Sequence, residues 1–145
     1  TYANIEGSNF FKARLNSAIL KETIFIDANL MYANLSGSDL TNANLDGANL
    51  RETNFRNANM SSAILNGTEI SNTNFSGANM RRVKLEALNF TKAKIKGANL
   101  EGASFIGSDL SNLDLSKYDA NSINLIGTTL CRTSFSTGID NSSCD

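Results

Sequence analysis

The 145-residue chain contains no proline, no histidine and no tryptophan. Without histidine it has neither a histidine acid–base pair nor a histidine-ligated metal at its disposal. Charge of one sign is also missing: 13 Lys and Arg stand against 14 Asp and Glu, a formal net charge of -1. By net charge, then, neither a basic nucleic-acid binder nor an acidic mimic announces itself. No apolar run approaches the ~20 residues that cross a bilayer, so no membrane insertion is expected. No secretory leader is read at the start, and Thr1 where Met would stand leads to the expectation of a mature or trimmed form. Cysteine is scarce: Cys131 and Cys144 alone, both near the C-terminal end. The length suits one domain.

What the chain does have is a five-residue ruler. Ala28–Leu50 reads ANLMYANLSGSDLTNANLDGANL, and the same register extends both ways. Every fifth residue from Ile5 to Phe135 is Leu, Ile, Phe or Met except Ala120, giving 27 consecutive words. Two residues before each of these centres lies a second restricted slot, holding 13 Ala, 6 Thr, 3 Ser and five larger residues: Val83, Leu88, Leu113, Tyr118 and Ile123. The residue between slot and centre is polar, most often Asn. The two after the centre are mostly polar, and the second is often Gly.

A period of five is neither helical nor that of a plain strand. Within a word, however, small–polar–large alternates in–out–in as a strand does. The two remaining residues must then turn the chain, and Asn, Gly and Ser supply the turn chemistry. Successive words therefore wind around a shared apolar axis, with coils stacked about 4.8 Å apart. A repeat this strict sets the architecture ahead of any other argument.

These words, A(D/N)LXX, resemble the pentapeptide-repeat family over about nine-tenths of the chain. The resemblance implies an all-β fold: a right-handed quadrilateral β-helix, a solenoid of about seven coils of four pentapeptides. The β-helix is expected over residues 1–135 and a short C-terminal cap over 136–145. In that arrangement the centres form ladders, one of which stacks Phe55 on Phe75, and Asn34, Asn54 and Asn74 form a polar ladder. Every centre is expected to be buried save Ala120. Around Ser116–Ile123 the sizes invert. Either Tyr118 fills the room that Ala120 leaves, or the coil opens there into a loop or helical turn. At the C-terminal end Ile139 is expected to plug the axis.

Cys131 directly follows the centre Leu130 and should point outward at the final coil, within reach of the tail that carries Cys144. A disulfide is expected, in an oxidising compartment; two free thiols are the alternative. Length, start and the paired terminal cysteines also resemble the small pentapeptide-repeat proteins of the plant thylakoid lumen. This makes the chloroplast thylakoid lumen the expected location and a bacterial periplasm the alternative.

No catalytic constellation stands out, because the acids sit in the repeat's own Asn/Asp slot, as at Asp39, Asp109 and Asp114. No enzyme activity, cofactor or metal is expected. Two surfaces are candidates. Phe11, Ile24, Ile26, Met31 and Tyr32 are large apolar residues in outward positions, a partner patch. Arg81, Arg82, Lys84, Lys92, Lys94 and Lys96 fall within one coil, a belt for an anionic partner or simply a solvated girdle. The expected function is a rigid, non-enzymatic protein-binding or scaffold module with an unknown protein partner and no direct nucleic-acid binding. The alternative that the family offers is a DNA mimic that binds a topoisomerase. Such a mimic needs densely acidic faces, which the basic coil interrupts.

Overall fold

The structure, a computed structural model, describes residues 2–144. Most words contribute one short extended piece whose middle residue bridges, in parallel, the residue twenty positions on: Asn4 to Ile24 to Asn44 to Ile64, and Asn9 to Asn29 to Asn49 to Glu69. Two backbone bonds flank each bridge. The centre's N–H donates forward, as from Ile5 to the Ile24 carbonyl at 2.9 Å, and the middle residue's N–H donates back, as from Ile24 to the Ala3 carbonyl at 2.9 Å. The result is an all-β solenoid of the β-helix type.

The turns follow from the remaining two residues. The N–H of the small-slot residue closes most turns on the preceding centre's carbonyl, as from Ala28 to Phe25 at 2.9 Å; at Leu88 it donates to Ser108 Oγ instead. The second turn residue is left-handed in most words, whether it is glycine, as Gly47 (φ +66°), or not, as Tyr32 (φ +61°). Left-handed backbone costs a non-glycine residue about 1 kcal/mol, and a bond to the next coil offsets this, as from the Tyr32 N–H to the Arg51 carbonyl at 3.0 Å. The polar middle residue caps its own turn: Asn34 Oδ1 accepts from the Ser36 N–H at 3.1 Å. The same oxygen also accepts from Asn54 Nδ2 at 3.2 Å, so one amide serves both the turn and the ladder.

Every centre from Phe25 to Leu115 is buried, each stabilising the fold by roughly 1.5–3 kcal/mol. The rings of Phe55 and Phe75 stack with centroids 5.5 Å apart and planes 4° apart. The expectation of uniform burial fails at both ends. Ile5, Phe10, Leu15 and Leu20, and again Leu125, Leu130 and Phe135, are only half-buried, because a terminal coil has a neighbour on one side only.

Near the C-terminus one open choice is decided and one expectation is corrected. Of the two readings of Ser116–Ile123, the helical turn is the one found, not a simple volume swap. A 3-10 turn spans Ala120–Ser122, Asp119 caps it by accepting from the Asn121 N–H, and Ala120 is exposed. Gly102 N–H now reaches the Ser122 carbonyl, one residue beyond the regular pairing, and the period of twenty resumes at the Ser104–Asn124 bridge. Nor does Ile139 plug the axis. Strand β1 (Thr133–Phe135) pairs antiparallel with β2 (Gly138–Asp140), Ile139 lies opposite Ser134, and its side chain is 65% exposed. The hairpin covers a backbone edge and leaves the half-buried Phe135 to close the core.

Candidate functional site

The cysteines lie where the final coil meets its hairpin. Cys131 and Cys144 form a disulfide, with Cα atoms 4.7 Å apart and the two residues 13 positions apart in sequence. It ties the tail beyond β2 back to the turn after Leu130.

Of the five patch residues, the coil gathers three. Phe11 and Met31 occupy the same turn position in adjacent coils, and Lys12 N–H bonds the Met31 carbonyl at 3.0 Å. The rings of Phe11 and Tyr32 meet edge to face at 5.7 Å. Lys12 Nζ stands 5.0 Å from the Phe11 centroid and 5.8 Å from that of Tyr32, a cation–π arrangement over exposed rings. Ile24 and Ile26 are placed elsewhere. Ile24 lies in the Asn4–Asn44 ladder and Ile26 in the turn after Phe25. The word Ala28–Leu30 separates both from the Phe11–Tyr32 corner, and both are half-buried. The sequence reading missed a second exposed pair, Ile106 and Ile126, which follow centres twenty residues apart. Lining up that turn position along the ladder would have revealed it.

The basic belt does not form one surface. All six side chains are exposed, but they follow the coil around the axis. Arg81 and Arg82 share a turn beside Ser61 and Ser62, and Lys84 lies in the Ile64–Ser104 ladder. Lys92, Lys94 and Lys96 fall on later turns and words. Arg81 is engaged with Glu101 at 2.8 Å, an exposed pair that contributes about 0–1 kcal/mol.

The acids serve the backbone. Burial tends to raise the Asp39 carboxyl, but hydrogen bonds from the Thr41 hydroxyl and amide, with Lys21 Nζ at 3.2 Å, hold it below its ordinary value. Ser116 does the same for Asp114 through its hydroxyl and amide, and Ser142 for Asp140. Each of these three carboxylates is a turn cap held ionised by the groups it accepts from. Burial raises the Tyr118 phenol, whose hydroxyl donates to the Ile95 carbonyl at 2.8 Å.

The family model for pentapeptide repeats matches residues 8–47, 43–82 and 84–117, so the chain belongs to the pentapeptide-repeat family. Among solved structures it is similar to HetL of the cyanobacterium Nostoc, described as involved in heterocyst differentiation regulation. That likeness has 24% identity over 97% of this chain and 82% of that one, with a TM-score of 0.53. It is also similar to a pentapeptide repeat protein of the Arabidopsis thaliana thylakoid lumen, at 27% identity and a TM-score of 0.46, covering 72% of this chain and 66% of that one. A third likeness is to full-length QnrB1, a plasmid-mediated fluoroquinolone resistance protein, at 26% identity and a TM-score of 0.45, covering 97% and 82%. A search of curated proteins found no match.

Proposed function

We propose that the protein is a rigid, non-enzymatic docking module: a right-handed, four-sided coil of about seven turns whose partner is another protein. One observation carries the reading. Phe11 and Tyr32 pack against each other, capped by Lys12, yet remain 45% and 44% exposed. Aromatic anchors held in place before binding lose little freedom on binding and supply much of an interface's energy. Asp39, Asp109, Asp114 and Asp140 are committed to capping turns, a structural role that suits a scaffold. The disulfide supports an oxidising compartment. We assign the thylakoid lumen of plants, among the small lumenal pentapeptide-repeat proteins, with a bacterial periplasm as the alternative. Mimicry of DNA is the weaker reading, because the coil that carries Lys92, Lys94 and Lys96 breaks any acidic face.

The test is recovery of partners from the native compartment by the wild-type chain and by a Met31→Ser, Tyr32→Ser double variant. The variant is expected to lose a specific partner while keeping its β-sheet dichroism. Unchanged recovery from a folded variant discards the site.

A further inference from the structure

The ladder opens between Ile95 and Asp114. Among the described residues no bridge joins Lys94 to Asp114 or Asn99 to Asp119, and neither the Ile95 N–H nor the Asp114 N–H has a backbone acceptor. The cause is size. Leu113 stands over Ala93, and Tyr118 stands over Ala98, each in a slot the repeat reserves for a small side chain. The turn changes as well: Lys117 lacks the left-handed φ that Asn112 (φ +65°) and Gly127 (φ +66°) keep on either side. Tyr118 does not fill the gap. Its hydroxyl bonds the Ile95 carbonyl and its half-buried ring forms one wall.

What remains is a cleft of about 510 Å³, within the range of small-ligand sites. Ile95, Ala98 and Leu113 give it an apolar floor, and Lys96 and Lys117 line it beside one acid, Asp114. That acid is already engaged: its Oδ1 accepts from the Ser116 N–H at 3.0 Å and the Ser116 hydroxyl at 2.6 Å. A second opening, where Leu88 stands over Thr68, has a different lining: Thr68, Glu69, Asn89 and Thr91 make it polar.

We propose that the Tyr118 cleft binds a small amphipathic anion. A flat apolar body lies on Ile95 and Leu113 against the Tyr118 ring, and a carboxylate or sulfonate is held between Lys96 and Lys117. Apolar contact supplies the affinity and the paired ammonium groups set the sign of charge. This goes beyond the docking of a protein at the Phe11–Tyr32 corner, and the two are separable.

The probe is anilinonaphthalene sulfonate, titrated into the intact oxidised chain and followed by fluorescence and by amide chemical shifts. One saturable site is expected, with shifts confined to Ile95–Ala98 and Leu113–Tyr118. Ala93→Phe, which fills the cleft, abolishes it. Lys96→Gln with Lys117→Gln weakens the sulfonate about tenfold and leaves the uncharged phenylnaphthylamine unchanged. If Ala93→Phe fails to fold, the lysine pair decides. Shifts centred on Phe11–Tyr32 or the terminal coils, binding retained by folded Ala93→Phe, or equal loss of charged and uncharged probes overturns the proposal.

Discussion

The stretch from Thr23 to Met80 and the stretch from Leu88 to Ile123 use the same word, yet their backbones behave differently. In the first, every small slot holds Ala, Ser or Thr, and each bridge from Ile24–Asn44 to Asn59–Asn79 is present. In the second, the bridges Glu69–Asn89, Lys94–Asp114 and Asn99–Asp119 are missing. Large residues alone do not explain this. Val83 sits between Ala63 and Ala103 and keeps its bridges on both sides. Leu88 lies over Thr68, while Leu113 and Tyr118 follow each other in consecutive words. Ile123, which follows the 3-10 turn, also keeps the Ser104–Asn124 bridge over Ala103. Coil stacking therefore tolerates Val83 over two alanines and Ile123 after a turn that has adjusted, and yields to the excess volume at Leu88, Leu113 and Tyr118. Interiors packed to crystal density have no slack for it.

The largest expected effect breaks the regular stretch. Leu45→Asp or Leu65→Asp puts an unpaired charge on the axis and should cost several kcal/mol, whereas Ala120→Asp, at the exposed 3-10 turn, should leave the melting temperature nearly unchanged. Equal melting of Leu45→Asp and wild type would mean that the register is misassigned.

Next in size is the disulfide, which distinguishes the tied C-terminal end from the untied N-terminal one. Closing a loop of this length is worth roughly 3 kcal/mol in the chain-entropy picture. Cys144→Ser should lower stability by about that much and raise amide exchange first in β1 and β2. Thiol titration of the unreduced, denatured wild type should find no free thiol.

A subtler comparison sits inside the regular stretch. Thr53 Oγ1 bonds the Leu30 carbonyl at 2.8 Å, but Thr23 Oγ1, nearer the start of the rod, is buried without a partner among the described residues. Thr53→Val should cost about 1 kcal/mol, and Thr23→Val should be neutral or stabilising by up to about 1 kcal/mol. Denaturant midpoints of the two variants check the sign of the difference.

The smallest effect is a pH dependence that separates the two stretches. Tyr118 is raised by burial, so the folded state favours the neutral phenol. Its contribution is complete below the ordinary tyrosine value of about 10 and is lost as pH climbs through the raised folded value. Asp39 and Asp114 are lowered, so theirs is complete above about pH 4 and is lost as pH falls. Alkaline titration should loosen the cleft, read as a steeper rise in amide exchange at Ala98, bonded to the Ile95 carbonyl, than at Ala58, bonded to that of Phe55, and Tyr118→Phe should remove that step.

The sequence by itself determined the axis, the register and the polar ladders. All three follow from a period that repeats in one register from Ile5 to Phe135, with each position facing one environment. The Phe55–Phe75 stack and the Asn34–Asn54 amide bond were legible for that reason. The tertiary structure alone decided where the ladder opens, because the fit of Leu113 or Tyr118 depends on the side chain twenty residues away and on how far the backbone yields. It also decided which apolar residues gather. Phe11 meets Tyr32 and not Ile24, since a turn position shared between coils brings side chains together where nearness in sequence does not. And it left the first and last coils half-exposed, for a repeating pattern carries no record of where its stacking partners end.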